Sequence, residues 1–218
     1  METYAIHMRI GELSKRTGVP VPTIKFYLRE GLLPHGRLTS HNQAQYGEEH
    51  LHRIKLVRAM TEVGKLSVAA AREVLEAVDE PGNGVHQVLG VAQSAITPQV
   101  APEDSEVWQR AEARVAELVR RRGWQVRPGI PAEQALVQLV VTFDELGQQD
   151  LLTLLDDYAQ AAEQLAKSEL AAIGRRDGVD AMVEGAVLGT VLGDALIGAM
   201  RRLAQSDASH RLFEGTPE

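Results

Sequence analysis

Residues 8–33 read MRIGELSKRTGVPVPTIKFYLREGLL, and this stretch carries the strongest structural signal in the chain. Apolar residues at helical spacing predict two short helices, one over 10–17 and one over about 20–31. Gly18 lies between them, at a position where glycine can adopt the left-handed conformation that ends a helix. Cationic and hydroxyl side chains occupy the second helix. The pattern indicates a helix-turn-helix, a motif that sets its second helix into the DNA major groove.

The next segment predicts the rest of a winged-helix domain. Residues 34–46 are polar and rich in turn formers, which indicates a loop or a short β-hairpin, that is, a wing. A third helix is expected from about 48 to 63, because apolar residues recur there every third position, and Gly64 ends it. Ser67 is placed to cap a fourth helix that runs to about Val78.

The remaining chain predicts helices only. The cluster EPGNG at residues 80–84 ends the helical pattern and marks a domain boundary. A short apolar helix is predicted after it, over about 85–96. Longer helices are predicted over 103–122, 131–146, 150–173 and 179–205. Asp150 is expected to cap the third of these. We therefore expect a mainly α fold with three parts: a winged helix-turn-helix DNA-binding domain (1–80), a linker with a short helix (81–102), and an all-helical bundle for effector binding and dimerisation (103–218).

Composition and charge favour a nucleic-acid-binding protein and exclude several kinds of metal and redox site. The net charge is −7, yet residues 1–60 carry nine Lys and Arg against five Asp and Glu, a net charge of +4. A basic head on an acidic body is typical of a nucleic-acid module attached to another domain. The chain has no cysteine, which excludes disulfides, thiolate metal sites and iron–sulfur clusters. We find no nucleophile–base pair and no phosphate-cradling glycine loop, so we expect neither an enzyme nor a bound metal or cofactor.

Four stretches carry a family resemblance. Residues 9–19 read RIGELSKRTGV, residues 23–27 TIKFY, residues 30–33 EGLL and residues 46–54 YGEEHLHRI. In this combination they resemble the MerR family of bacterial transcription regulators, over about a third of the chain. The resemblance implies a cytoplasmic, nucleoid-associated homodimer on a near-palindromic operator in double-stranded DNA. It also implies that the bound promoter is bent and untwisted for RNA polymerase, and that a variable carboxyl-terminal domain senses the signal.

The side chains expected to contact DNA lie on the first helix, the second helix and the wing: Ser14, Lys15, Thr23, Lys25, Tyr27, Arg37, Asn42, Gln43 and Tyr46. Lys25 is placed to reach a base edge or a phosphate, and most of the others are placed to position the protein on phosphates. Tyr27 has an alternative role in the domain core. The family usually has arginine where Pro22 and Ala44 stand here, and Lys25 replaces another arginine and loses bidentate geometry.

The predicted bundle is expected to bind a small organic ligand. Four aromatic residues are candidates to line its pocket: Trp108, Trp124, Phe143 and Tyr158. A nearby carboxylate, from Asp144, Glu145, Asp156 or Asp157, could attract a cationic ligand to the ring faces. The alternative is that these aromatics form the core of the bundle. The sequence leaves two candidates for the surface that forms the dimer: the helix over 103–122 and the bundle itself. We expect no membrane span, because Glu184 and Asp194 bracket only nine uncharged residues of the last helix.

The main hypothesis is therefore a sequence-specific transcription regulator that responds to a small organic ligand. The alternative is a protein that sequesters a drug or metabolite and carries a weakened DNA-binding head, as the residues at positions 22 and 44 suggest. The sequence leaves open the ligand, the operator, the regulated genes and whether the protein activates or represses.

Overall fold

The computed structural model describes residues 8–40 and 43–215. Helices dominate, and the described residues form one sheet, of two strands. The predicted mainly α fold class is confirmed. The chain divides into two compact units, Met1–Asn83 with Val187–Glu218 and Gly84–Ala186. The predicted division into functional domains 1–80, 81–102 and 103–218 stays a prediction.

The first unit contains the winged helix-turn-helix. Its elements are α1 (Ile10–Thr17), α2 (Val21–Arg29), β1 (Arg37–Ser40), β2 (Gln43–Gln45), α3 (Glu48–Arg58), a π-helical turn (Ala59–Val63) and α4 (Val68–Asp79). The strands pair antiparallel, with Arg37 opposite Gln45, and form the predicted wing. Ser67 caps α4 as expected, since its hydroxyl accepts a hydrogen bond from the amide of Ala70 at 3.1 Å.

The turn between α1 and α2 is held by short-range interactions. Gly18 ends α1 with φ +70°, in the left-handed region. The Ser14 hydroxyl donates a hydrogen bond to the carbonyl oxygen of Val19 at 2.7 Å. Leu13 and Ile24 are fully buried on the inner faces of the two helices. These contacts fix the orientation of α2 relative to α1.

The conformation of Gly18 leads to a stability prediction. We expect Gly18→Ala to lower the free energy of unfolding by about 1 kcal/mol, because a Cβ atom is strained at positive φ although space is available around it. Gly11→Ala is the matched control: Gly11 is exposed within α1, and alanine there should raise the free energy of unfolding by about 0.5–1 kcal/mol. Urea titration of both variants measures the difference, and equal effects of the two substitutions would contradict the assignment.

The second unit is a helical bundle. Its elements are α5 (Val85–Ile96), α6 (Glu106–Arg122), α7 (Pro131–Glu145), a 3-10 turn (Leu151–Leu154), α8 (Leu155–Ile173) and the beginning of α9 (Val179–Phe213). Its main core joins α6 and α7 through seven buried side chains: Trp108, Ala111, Val115, Val137, Val140, Val141 and Leu152. The rest of α9, from Val187, belongs to the first unit.

Two local expectations were wrong. The side chain of Asp150 makes no cap; its carbonyl oxygen instead accepts hydrogen bonds from Thr153 in the 3-10 turn that precedes α8. The last helix continues to Phe213 rather than ending near Gln205. Ion pairs one turn apart, such as Arg211 with Asp207 at 3.0 Å, favour the extra helical turns.

Candidate nucleic-acid interface

Helix α2 has one buried face and one exposed face. Ile24 and Tyr27 point into the domain and are 0% and 8% exposed. Pro22, Lys25 and Arg29 are exposed and follow one another at intervals of three and four residues, so they share the opposite face. The helix therefore presents two cations in adjacent turns to solvent.

The cations of the first unit fall into two groups. Several are engaged within the protein: Arg16 pairs with Glu48, Arg53 with Asp79 and Arg58 with Glu62. In contrast, three of the predicted DNA contacts have no ion-pair partner in the described part of the chain: Lys15, Lys25 and Arg37. All three are exposed. They can bind phosphate without first breaking an internal ion pair, which favours a role in electrostatic attachment to DNA.

Arg29 is a candidate contact that the sequence reasoning missed. Its guanidinium carbon lies 5.4 Å from the centre of the Phe26 ring, and its Nε atom lies 3.3 Å from a carboxylate oxygen of Glu30. Stacking on the ring holds the side chain on the exposed face of α2. The signal was available in the sequence, because Arg29 follows Lys25 by four residues.

Three of the predicted contacts are engaged inside the domain. The Ser14 hydroxyl is held by Val19, as described above. Tyr27 is buried, and burial, followed by the nearby Glu62 carboxylate, raises the pKa of its phenol. Tyr46 is also buried: its ring packs edge-on against His50 at 5.1 Å, and its backbone pairs with Met8. The core alternative for Tyr27 agrees with this placement, and DNA contact by the three stays a prediction.

The wing carries the remaining predicted contacts. A side-chain oxygen of Gln43 accepts a hydrogen bond from Arg9 at 3.3 Å, which ties β2 to the residue before α1. Arg37 is exposed on β1, and Leu38 beside it is 74% exposed. Thr23 is half-buried at the start of α2. Asn42 lies outside the described residues.

The four predicted ligand-binding aromatics are not gathered in one pocket. Trp108 is 1% exposed in the core of the second unit, and Phe143 packs against the same cluster. The indole of Trp124 instead donates a hydrogen bond to Glu163 at 2.7 Å, and Tyr158 is 51% exposed on α8. Ligand binding by these residues stays a prediction.

A shallow cavity of about 290 Å³ does lie in the second unit. It is lined by Val107 and Arg110 of α6, by Asp144 and Glu145 of α7, and by Gln149. Two carboxylates against one guanidinium give this cavity a net negative charge. Among residues 8–40 and 43–215, no three His, Asp or Glu side chains are grouped so that they could hold a metal ion.

Glu163 joins α8 to the end of α6 and should make stability depend on pH. Hydrogen bonds from Arg122, at 3.0 Å, and then from Trp124 lower the pKa of its carboxyl. A carboxyl with a lowered folded-state pKa stabilises the fold above its unfolded pKa of about 4.3, and this contribution is lost as pH falls through the folded value. We expect Glu163→Gln to flatten the acid side of the melting-temperature profile. The exposed Glu112→Gln control should leave that profile unchanged, and an unaltered acid side in Glu163→Gln would contradict the prediction.

Comparison with known proteins identifies similar regulators. Residues 8–78 match the family model described as MerR HTH family regulatory protein. The chain is 30% identical over 111 residues to the HTH-type transcriptional regulator ZntR of Escherichia coli K12, covering 50% of this chain and 70% of that protein. It is 46% identical over 50 residues to a ZntR homolog of Haemophilus influenzae, covering 23% of this chain and only 37% of that relative.

A solved structure is similar over almost the whole chain. This is SCO5550 of Streptomyces coelicolor A3(2), a protein assigned to transcriptional regulation. The two chains are 35% identical, with a TM-score of 0.71, over 97% of this chain and 100% of the other. The likeness thus extends beyond the winged helix and includes the helical remainder.

Proposed function

The chain belongs to the MerR family of DNA-binding transcription regulators, and from this premise we propose that it binds a near-palindromic promoter operator as a homodimer. The named relatives are regulators and not enzymes. Each protomer places α2 in the major groove of one half-site, and the bound promoter is presented to RNA polymerase. We place this activity in the bacterial cytoplasm, at the nucleoid.

The observation that carries this proposal is the exposed face of α2. Lys25 stands on it with no ion-pair partner in the described part of the chain, and the turn at Gly18 sets the orientation of α2 relative to α1. A major groove about 12 Å wide admits a helix of this kind. Lys25 is proposed to reach a base edge or a phosphate. Lys15, Thr23, Arg37 and Gln43 are proposed to position the protein on the backbone.

The second unit is proposed to sense a small organic ligand. Its negatively charged cavity beside Asp144 and Glu145 favours a cationic compound, and apolar surface from Val107 suits an aromatic one. Titration calorimetry with an aromatic quaternary ammonium ion is expected to show binding that weakens in the variant carrying Asp144→Asn with Glu145→Gln. Equal affinity of that variant and the wild type would exclude this cavity as the site.

Selection from random DNA tests the regulatory function. Full-length protein is expected to enrich one inverted repeat, and its affinity for that repeat, measured by fluorescence anisotropy, should fall steeply as salt rises because counterions are released on binding. Failure to enrich any sequence would overturn the proposal. If the same protein then binds the quaternary ammonium ion tightly, the sequestering function is the better description, as the exposed Pro22 and the alanine at position 44 would suggest.

A further inference from the structure

The carboxyl-terminal half of α9 carries large apolar side chains in solvent. Leu196, Met200 and Leu203 are 65%, 58% and 69% exposed, and Ile197 beside them is 46% exposed. Every residue from 199 to 215 is exposed. Residues 199–213, the exposed end of α9, are about as long as the helices that are only marginally stable in water without tertiary packing. A partner that covers the apolar side chains there would stabilise this end of the helix.

The exposed residues are arranged as one stripe. At about 100° per residue, Leu196, Met200 and Leu203 fall within an arc of about 60° on the helix. Asp194, Arg201 and Arg202 fall on the opposite side of the helix. Ile197 lies about 60° beyond the edge of this arc, towards Arg201. We call Leu196, Ile197, Met200 and Leu203 the α9 stripe, with Ile197 at its edge. Its separation from the charged side is the pattern of a helix that packs against another helix.

The part of α9 just before the stripe packs in the first unit, which contains the winged helix-turn-helix. Val187 and Val191 are 0% and 2% exposed. Gly64, at the end of the π-helical turn, lies so close to Val191 that a Cβ atom at this glycine would collide with the valine side chain. A second helix bound to the α9 stripe would therefore be held next to a winged helix.

The area of the stripe matches a specific interface. Its four side chains expose on the order of 300 Å² of apolar surface, which is within the range of the largest apolar patch on a typical monomer, a patch that is often functional. Protein interfaces are a little over half apolar, so the stripe corresponds to a total buried area just above ~1,000 Å², the lower limit for specific association.

We propose that the α9 stripe pairs with the same stripe of a second copy of this chain, in antiparallel orientation. This proposal rests on the dimeric function proposed above and names the surface that forms the dimer. An antiparallel pair centred between Ala199 and Met200 sets Leu196 of one copy against Leu203 of the other, twice, as a two-fold axis requires.

The charge that follows the stripe selects the antiparallel orientation. Asp207 continues the line of Met200 seven residues later. A parallel in-register pair would bring the Asp207–Arg211 ion pairs of the two copies together with like charge facing like charge, which is unfavourable. The antiparallel pair separates the two Asp207 carboxylates by about 15 residues, or about 22 Å along the helix axis.

The size of the full-length protein tests the surface. Wild type is expected to sediment as a dimer at micromolar concentration, and Leu203→Arg as a monomer with unchanged helical circular dichroism. Leu146→Arg is the matched control, since Leu146 is 67% exposed beyond the end of α7 in the second unit, and it should remain dimeric. A monomeric wild type, or a dimeric Leu203→Arg, would overturn the proposal.

Cross-linking tests the orientation, and the absence of native cysteine makes each engineered thiol unique. Met200→Cys alone is expected to form a disulfide-linked dimer under mild oxidation. Leu196→Cys and Leu203→Cys should cross-link efficiently only when the two variants are mixed. Efficient cross-linking of each of these two alone would indicate a parallel pair and contradict the antiparallel arrangement.

A membrane is the competing occupant. Helix α9 is long and apolar enough to cross a bilayer by length and composition, although 28% of its most apolar window is buried inside the protein. Asp194 would then lie within the span, at a cost of a few kcal/mol. Vesicles of phosphatidylcholine and phosphatidylglycerol test this alternative by flotation. If wild-type protein floats with the vesicles and is monomeric in buffer, the α9 stripe contacts a membrane and the proposed dimer is wrong.

The dimer surface and the DNA function can fail separately. If Leu203→Arg stays dimeric and wild type still selects an operator, the surface is wrong and the function stands. If wild type dimerises through the α9 stripe but selects no DNA, the proposed function fails and the surface stands.

Discussion

Replacing both Lys25 and Arg29 by alanine is expected to weaken binding to the selected operator by roughly 100-fold or more. The two side chains stand in adjacent turns on the exposed face of α2, and neither is buried. Their loss should therefore leave the free energy of unfolding within about 1 kcal/mol of the wild-type value, because only the exposed contacts of Arg29 with Phe26 and Glu30 are removed. Fluorescence anisotropy at several salt concentrations and a urea titration provide the two measurements.

The salt dependence separates two roles for Lys25. If Lys25 binds a phosphate, Lys25→Ala alone weakens all sequences alike and lowers the salt slope by about one for each half-site. If it reads a base edge, the loss is concentrated on the selected operator.

The control for the Lys25 and Arg29 double variant is Arg127→Ala with Lys167→Ala. It also removes two positive charges, but from exposed positions of the second unit, and it should leave the affinity for the operator nearly unchanged. Equal losses in the two double variants would show that only net charge matters.

Trp108→Ala is expected to destabilise the second unit by about 3–5 kcal/mol, the range for an aromatic residue removed from a packed core. Trp108 is 1% exposed and joins α6 to α7 through the buried cluster. Urea unfolding followed by circular dichroism measures the loss. Tyr158→Ala is the control, because half of that side chain is exposed on α8, and its effect should stay near 0.5 kcal/mol.

A conservative variant separates packing from ligand contact at Trp108. The indole Nε1 atom is buried and has no hydrogen-bond partner within the described residues. Trp108→Phe removes volume and also removes this unsatisfied group, so its cost should stay below about 1.5 kcal/mol. A loss under 1 kcal/mol in Trp108→Ala, accompanied by weaker binding of the quaternary ammonium probe, would instead favour the ligand-binding role.

Local chemistry made much of the fold predictable. The bounds of α1 and the left-handed Gly18 follow from apolar spacing and a glycine, and the Ser67 cap follows from a hydroxyl three residues before an amide that needs a partner. The prediction went wrong where the signal was weaker. Asp150 has the chemistry of a cap, but a 3-10 turn follows it and its side chain caps no helix. No glycine or proline near residue 205 ends α9.

The sequence by itself determined the family, the helix-turn-helix and the basic character of the first 60 residues, because caps, periodicity and motif spacing are read over a few neighbouring residues. Only the tertiary structure decided which cations remain unpaired, because the carboxylates that engage Arg16 and Arg53 lie 32 and 26 residues away in the chain. It also decided that Tyr27 and Tyr46 turn inward and that the described residues of the same chain leave the α9 stripe exposed. Burial depends on which distant segments pack together, and residue type alone does not specify those partners.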